Sequence, residues 1–231
     1  MDHEAIARLT SNVATKLETL PKTHRFIIAI VGIPGSGKTT LAQAITASLN
    51  GLPQAASVSG GPFAIAVPMD GFHYTRAYLS AMPNAAEAHA RRGAAFTFDA
   101  EAWCALVAAL GAPLEPGAGC IEAPGFDHSV KDPVQAAIMV APESRIVVCE
   151  GNYLALNVEP WKSAAKRYDE VWLVEVDKEV ARERLIKRHL VAGIAATKEE
   201  AEKRAENNDL VNGDEILANL IEGISERIRS S

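Results

Sequence analysis

Cysteine is scarce in this 231-residue chain: Cys104, Cys120 and Cys149 are isolated from one another and odd in number. Their spacing suits neither a disulfide framework nor a metal-ligand set. That points to a reducing compartment, with the cytoplasm as the expected location and the three thiols as small buried apolar groups. Excess positive charge is also missing. Lys and Arg number 23 against 29 Asp and Glu, a formal net charge of −6. A broad acidic surface repels nucleic acid, although a local basic pocket for a small anion is compatible with it. Long apolar runs are absent. The longest near the start, Phe26 to Ile33, is too short to span a bilayer and follows a polar, charged stretch that makes a poor secretory leader. Neither nucleic acid nor a membrane is therefore an expected partner. The pattern Gly-x-Gly-x-x-Gly is missing from the first strand–helix turn, which disfavours a nicotinamide enzyme. An Asn-Lys-x-Asp guanine reader is missing too, which disfavours a small GTPase. There is no internal repeat and no low-complexity tail.

What is present is an ordinary globular composition, 48 % hydrophobic and 23 % charged, at a length that suits one domain. Residues 2–20 place Ile6, Leu9, Val13, Leu17 and Leu20 on one helical face, and Pro21 closes that helix. Arg25 to Val31 reads as a buried strand, and Thr39 to Leu49 as a helix. A loop over 51–62 leads to a second strand, Phe63 to Met69, with Asp70 at its end. Residues 71–95 read as loop and short helix, and Asp99 to Leu110 as a helix capped by Thr97 or Asp99. A short strand near Cys120 and Ile121 precedes an expected polar loop from Pro124 to Pro133. Arg145 to Cys149 and Val171 to Val176 read as strands, followed by helices near 178–192, 198–210 and 213–229. Strands alternating with helices predict an α/β fold whose parallel sheet is covered on both faces.

Gly32-Ile33-Pro34-Gly35-Ser36-Gly37-Lys38-Thr39, with Thr40 after it, matches G-x-x-x-x-G-K-[ST] between a buried strand and a helix. Glycines let the main chain curl so that its N–H groups face phosphates. The helix that follows adds the positive end of its dipole. Lys38 supplies a point charge to the outer phosphates, and the Thr39 hydroxyl suits Mg²⁺. The pattern points to phosphoryl transfer from a nucleoside triphosphate. Ser59-Gly60-Gly61 resembles a transport-ATPase signature, but it comes too soon after the first helix and lacks the rest of that signature, so it reads as a loop.

In open α/β sheets, ligands sit beyond the carboxyl ends of the strands. Asp70 and Glu150 are expected there. A kinase needs one carboxylate to take or orient the acceptor proton and another for Mg²⁺ or its waters. Asp70 takes the first role and touches the metal shell, and Glu150 takes the second. Arg184 and Arg188, four apart on one helical face, are candidates to close over the transferring group, and Arg182 is a weaker one. His73, Tyr74, Arg91, Arg92, Phe126 and His128 lie in long loops of the kind that bind an acceptor. Asn207, Asn208 and Asn212 lie where a nucleotide base or a helix cap would use them, and Asn208 is the candidate base contact.

The segments GIPGSGKT, PMDGFHY, RRGAAFTFD, APGFDHSVKDP, VVCEGNYL, RERLIKRH and NNDLVN resemble, in that order, the uridine kinase and pantothenate kinase branch of P-loop kinases. The resemblance runs from Arg25 onward and is greatest to fungal and bacterial members labelled nucleoside-kinase-like or fructose transport system kinase. It implies a three-layer P-loop NTPase fold with a central parallel sheet and a helical lid. It also implies ATP and Mg²⁺, a base at Asp70, a metal-side acid at Glu150 and lid arginines at Arg184 and Arg188. One kinase domain is expected over 1–231, with an N-terminal helix (1–21), acceptor-binding insertions (71–133) and a lid and nucleotide-base region (178–212). Uridine kinases carry Phe-Asp-His-Pro before Ala-Phe-Asp, and that first Asp holds the ribose. Here Arg92-Gly93-Ala94-Ala95 precedes Phe96-Thr97-Phe98-Asp99, so that carboxylate is missing. Arg91 and Arg92 suggest an acceptor with an anionic or strongly polar group.

The leading expectation is a small-molecule kinase acting on a pantothenate-, nucleoside- or sugar-like acceptor. The alternative is a regulator that binds ATP without transferring phosphate, its lid ordered by the nucleotide. A mechanical ATPase is a third reading, for which the sequence offers no partner-binding surface. A homodimer is left open.

Overall fold

The computed structural model describes residues 3–115 and 117–230. Its centre is β1 (Phe26–Val31), whose six residues are all buried. Alternate side chains enter opposite layers, because successive residues of a strand face opposite sides of a sheet. Ile27, Ala29 and Val31 join one core with Trp103, Val107, Leu154 and Trp161. Phe26, Ile28 and Ile30 join the other with Leu9, Val13, Leu41, Ile45 and Trp172. A strand covered on both faces has no polar alternation to show, which is why it reads as a continuous Ile/Val run.

The second core is roofed by α1 (His3–Thr19) and α2 (Lys38–Asn50). The first is covered by α5 (Ala100–Leu110) and α6 (Trp161–Ala165). In α5, Trp103, Leu106, Val107 and Leu110 all point inward, and the Asp99 carboxylate accepts from Ala102 N to cap the helix. Between α2 and α5 lie β2 (Ala64–Pro68), a tight turn over Met69–Phe72, α3 (Arg76–Ala81) and α4 (Ala85–Ala90).

β5 (Ile146–Glu150), β6 (Glu170–Glu175) and β7 (Glu226–Arg229) complete a five-stranded sheet in the order β2-β5-β1-β6-β7, with every pairing parallel. The register aligns Ile30 and Pro68 on either side of Glu150. The turns after β1 and β2 therefore emerge at the same edge of the sheet, beside the end of β5.

Three expectations are corrected. The stretch from Pro124 to Pro133 is a β-hairpin, β3 (Ile121–Asp127) with β4 (Asp132–Val140), rather than a polar loop. The hairpin stands outside the main sheet. Pro124 falls at its register shift, between Ala123 and Gly125, and Pro133 falls in a two-stranded ladder with open edges, both places that tolerate a missing N–H. Its turn is closed by the Asp127 carboxylate, which accepts from Ser129 N (2.7 Å) and Ser129 Oγ (2.6 Å). Those bonds hold the Asp127 carboxyl below its ordinary value. Second, the helix expected over 213–229 ends at Ala218, and Glu226–Arg229 joins the sheet edge as β7 with Ile228 buried. Third, of the three thiols only Cys149 is buried. Cys104 is half-buried and Cys120 is exposed.

The lid consists of α7 (Lys178–Val191) and α8 (Lys198–Arg204). A π turn over Ala205–Asp209 then leads into α9 (Leu210–Ala218). Leu185, Ile186, Ala195, Ala201, Ala205 and Leu210 form its own small core. Among the described residues no helix is long and apolar enough to cross a membrane.

Candidate active site

The turn from β1 into α2 is the phosphate-type loop. No side chain caps the N-terminus of α2, so the N–H groups of its first turn face the loop interior. Ser36 is fully buried there, and its hydroxyl has no partner among the described residues. Gly35 has φ 81°, and a Cβ on it would lie 2.8 Å from the Ala181 carbonyl of α7, so the loop and the lid helix meet backbone to backbone.

Lys38 is 7 % exposed, and its Nζ donates to the Ile33 carbonyl at 2.9 Å. Burial pushes its pKa down to about 8. Glu150 and Asp70 pull it back up, and Arg188 adds to the lowering. Glu150, also 7 % exposed, accepts from the Thr39 hydroxyl at 3.2 Å. Burial raises its carboxyl above the ordinary glutamate value, Asp70 adds to the rise, and Lys38, Thr39 and Arg188 oppose it. Lys38, Thr39, Glu150, Asp70 and Arg188 thus form one electrostatic cluster at the carboxyl edge of the sheet. An unpartnered buried hydroxyl, a dry lysine and a hydroxyl–carboxylate pair form a donor set that suits a polyphosphate with a hard divalent cation.

Asp70 lies in the tight turn after β2, half-buried. The next residue must be glycine. A Cβ on Gly71 would stand 2.0 Å from the Pro124 carbonyl, so the hairpin packs directly on the Asp70 turn. His73 Nδ1 lies 2.9 Å from the Asp70 carbonyl, and its ring packs on Phe98 (3.9 Å) and Phe126 (5.1 Å). Burial lowers the His73 pKa against the pull of Asp70, with Arg92 and His128 lowering it further. Phe126 meets His128 at 5.2 Å, so a row of rings runs from the Asp70 turn along the hairpin. Tyr74 stacks on Tyr78 at 4.3 Å.

The arginines divide by task. Arg184 Nη1 donates to the Gly35 carbonyl (3.3 Å) and Ser230 Oγ (2.9 Å), flanking the phosphate loop. Arg188 is 57 % exposed and lies 3.9 Å from Asp209. Arg182 turns outward to Glu206 at 2.6 Å. Arg91 and Arg92, expected on the acceptor, each bind other parts of the protein. Arg91 binds Asn208 Oδ1 (3.0 Å) and Asn212 Oδ1 (2.6 Å). Arg92 binds Asp132 (2.8 Å) and the Lys131 and Tyr74 carbonyls, with its guanidinium 5.8 Å from the Phe126 ring centre. Asn208, expected near a base, is 4 % exposed, with its amide nitrogen on the Arg92 carbonyl at 3.2 Å. Both ends of that amide therefore serve the Arg91–Arg92 segment. Thr40 and Thr39 are exposed at the loop mouth, and Ile33 and Pro34 are buried beneath it. The sequence reading overlooked Asp132, the partner of Arg92, and the His189–Asp209 pair behind Arg188. Asp132, His189 and Asp209 each fall within a quoted motif, but nothing in the sequence pairs them with their partners.

No protein-family model matches the chain. The Schizosaccharomyces pombe protein named "Putative uridine kinase C227.14" is 39 % identical over 205 residues, covering 89 % of this chain and 83 % of that protein. "ATP-dependent kinase-like protein notR'" of Aspergillus versicolor is 48 % identical over 153 residues, 66 % of this chain and 89 % of that protein. "ATP-dependent kinase YFH7" of Zygosaccharomyces rouxii is 34 % identical, and the chain spans 54 % of its length. Among solved structures, a "putative fructose transport system kinase" from Silicibacter sp. TM1040 matches with a TM-score of 0.80 and 31 % identity, over 96 % of this chain and 98 % of its own. The Saccharomyces cerevisiae YFH7 structure matches in fold, with a TM-score of 0.86 at 23 % identity over 98 % and 99 % of the two chains. With the sheet order, the phosphate loop and these relatives in agreement, the chain belongs to the uridine kinase-like branch of the P-loop kinases.

Proposed function

We propose that this kinase moves the γ-phosphoryl group of ATP to a hydroxyl of a small metabolite, pantothenate-, nucleoside- or sugar-like in kind. The observation that carries the reading is the cluster of Asp70, Lys38, Glu150 and Arg188 at one edge of the sheet, close enough that Lys38 and Glu150 each feel the other three. The relatives named ATP-dependent kinases support ATP as the donor.

In this reading the loop from Gly32 to Thr39 cradles the polyphosphate, and Lys38 sits at its outer end. Thr39 and Glu150, with Asp70 nearby, would hold Mg²⁺, which neutralises charge on the outer phosphates when bound. The Asp70 carboxylate takes the proton of the acceptor hydroxyl. That oxygen bonds to the γ-phosphorus as the bond to the β,γ-bridging oxygen breaks, and ADP leaves with the electron pair. Lys38, Arg184 and Arg188 offset the charge spread over the transferring group. The rings of His73, Phe126 and His128, with Tyr74, form the wall beside Asp70 that an acceptor meets. Arg91 and Arg92 brace that wall from behind through their bonds to Asn208, Asn212 and Asp132.

The test is a mass-spectrometric screen of pantothenate, nucleosides and sugars with ATP and Mg²⁺. A product one phosphoryl group heavier than its acceptor, formed with ADP, is the expected result. Nucleotide uptake with no product from any acceptor would instead favour a regulator that binds ATP without transfer.

A further inference from the structure

The helical run from α8 into α9 is interrupted once, by the π turn Ala205–Asp209. Such turns are costly and recur at functional sites. Here the turn sends consecutive side chains to different neighbours. Asn208 goes to Arg91 and the Arg92 carbonyl, and Asp209 goes to α7. Asp209 Oδ2 lies 2.9 Å from Nε2 of His189, whose side chain is 2 % exposed. The other ring nitrogen, Nδ1, is buried without a partner among the described residues, so the contact with Asp209 is the hydrogen bond that orients the imidazole. The second Asp209 oxygen lies 3.9 Å from Arg188 Nη2. Among the described residues Asp209 is the one acid within ion-pair distance of Arg188.

We propose that Asp209, anchored by His189, is a positioning residue that holds Arg188 on the cleft side of α7, aimed at the outer phosphates of bound ATP. The proposal rests on the reading of Arg188 given above. An exposed arginine has many rotamers to lose when it meets a ligand. A carboxylate fixed by a buried ring removes part of that loss in advance, so the guanidinium is placed before the nucleotide arrives. A residue that merely closes the small lid core would act on folding and on every nucleotide alike. One that aims Arg188 acts on the γ-phosphate, and therefore on ATP relative to ADP.

The experiment is a double-mutant cycle read as the ratio of ADP to ATP dissociation constants, measured by calorimetry with Mg²⁺ on the full chain. Thermal melting of each variant checks that it folds. Arg188→Ala is expected to lower that ratio about fivefold. Asp209→Asn, which keeps the shape and the His189 contact but removes the charge, should do much the same, and the double variant should add little. Asp209→Glu should recover most of the ratio. If Asp209→Asn does not fold, His189→Gln loosens the carboxylate with its charge in place, and the same fall is expected. A full ratio in a folded Asp209→Asn or His189→Gln, or losses that add in full to that of Arg188→Ala, overturns the positioning role alone. A full ratio in Arg188→Ala overturns both it and the reading of Arg188 as a phosphate-facing arginine.

Discussion

Lys38 carries a charge that its surroundings barely support. Burial brings its pKa from the ordinary lysine value of 10.5 down to about 8, even with Glu150 and Asp70 nearby. A group with a lowered value keeps its proton below about pH 8 and releases it as the pH rises through that point. A bound polyphosphate favours the charged form. ATP affinity should therefore be level below pH 8 and weaken above it, and binding near pH 8.5 should take up a fraction of a proton. Calorimetry in two buffers of different ionisation enthalpy measures that uptake directly. Binding with no proton uptake and no pH dependence would mean that Lys38 does not face the phosphates. The loop from Gly32 to Thr39 and the places of Asp70 and Glu150 at the carboxyl edge of the sheet are legible at this scale because adjacent residues specify them. A glycine-rich turn follows a strand, and an acid ends one. Arg91 and Arg92 were not legible as braces, because Asn208, Asn212 and Asp132 are far away in sequence and only the folded chain brings them close.

Elements with a full hydrophobic face were readable, and those without one were not. β1, β5 and α5 repeat buried residues at the spacing of their structure. β7 has four residues, of which only Ile228 is buried, and its pairing with β6 outweighs the helical spacing of the apolar residues before it. Residues 211–212 read as a break between two helices, yet both lie within α9, with Asn212 buried. The β3–β4 hairpin was hidden by its prolines, which an unpaired two-stranded ladder accommodates. Besides packing on the Asp70 turn and the first core, it is tied to the rest of the protein by Asp132, which accepts from Arg92 at 2.8 Å and from Arg76 N at 2.9 Å. Arg92 is only 14 % exposed. Asp132→Ala would leave a largely buried guanidinium short of its counter-charge, at a cost of about 2 kcal/mol. Urea denaturation measures that loss. A change under about 0.5 kcal/mol would show that the ion pair is no more than a surface contact.

At the scale of the whole molecule, the register of three parallel strands creates the site. Ile30, Glu150 and Pro68 stand side by side, so the loop after β1, the end of β5 and the turn after β2 converge without any one segment specifying it. The lid closes the same edge from the other side. Lys131 Nζ of the hairpin reaches the Gly193 carbonyl between α7 and α8 at 3.4 Å. The hairpin and the connection between α7 and α8 are thereby joined. In the proposed reading the loop from Gly32 to Thr39 carries most of the nucleotide contacts and Asp70 acts on the acceptor proton, so a variant at Asp70 separates binding from transfer. The most direct test compares wild type with Asp70→Ala, measuring ATP affinity by calorimetry and phosphoryl transfer to the acceptor found by the screen. ATP affinity within about threefold of wild type, with turnover lower by about a thousandfold, is the predicted result. Turnover by Asp70→Ala at the wild-type rate, or wild-type protein that takes up no ATP, would contradict the account.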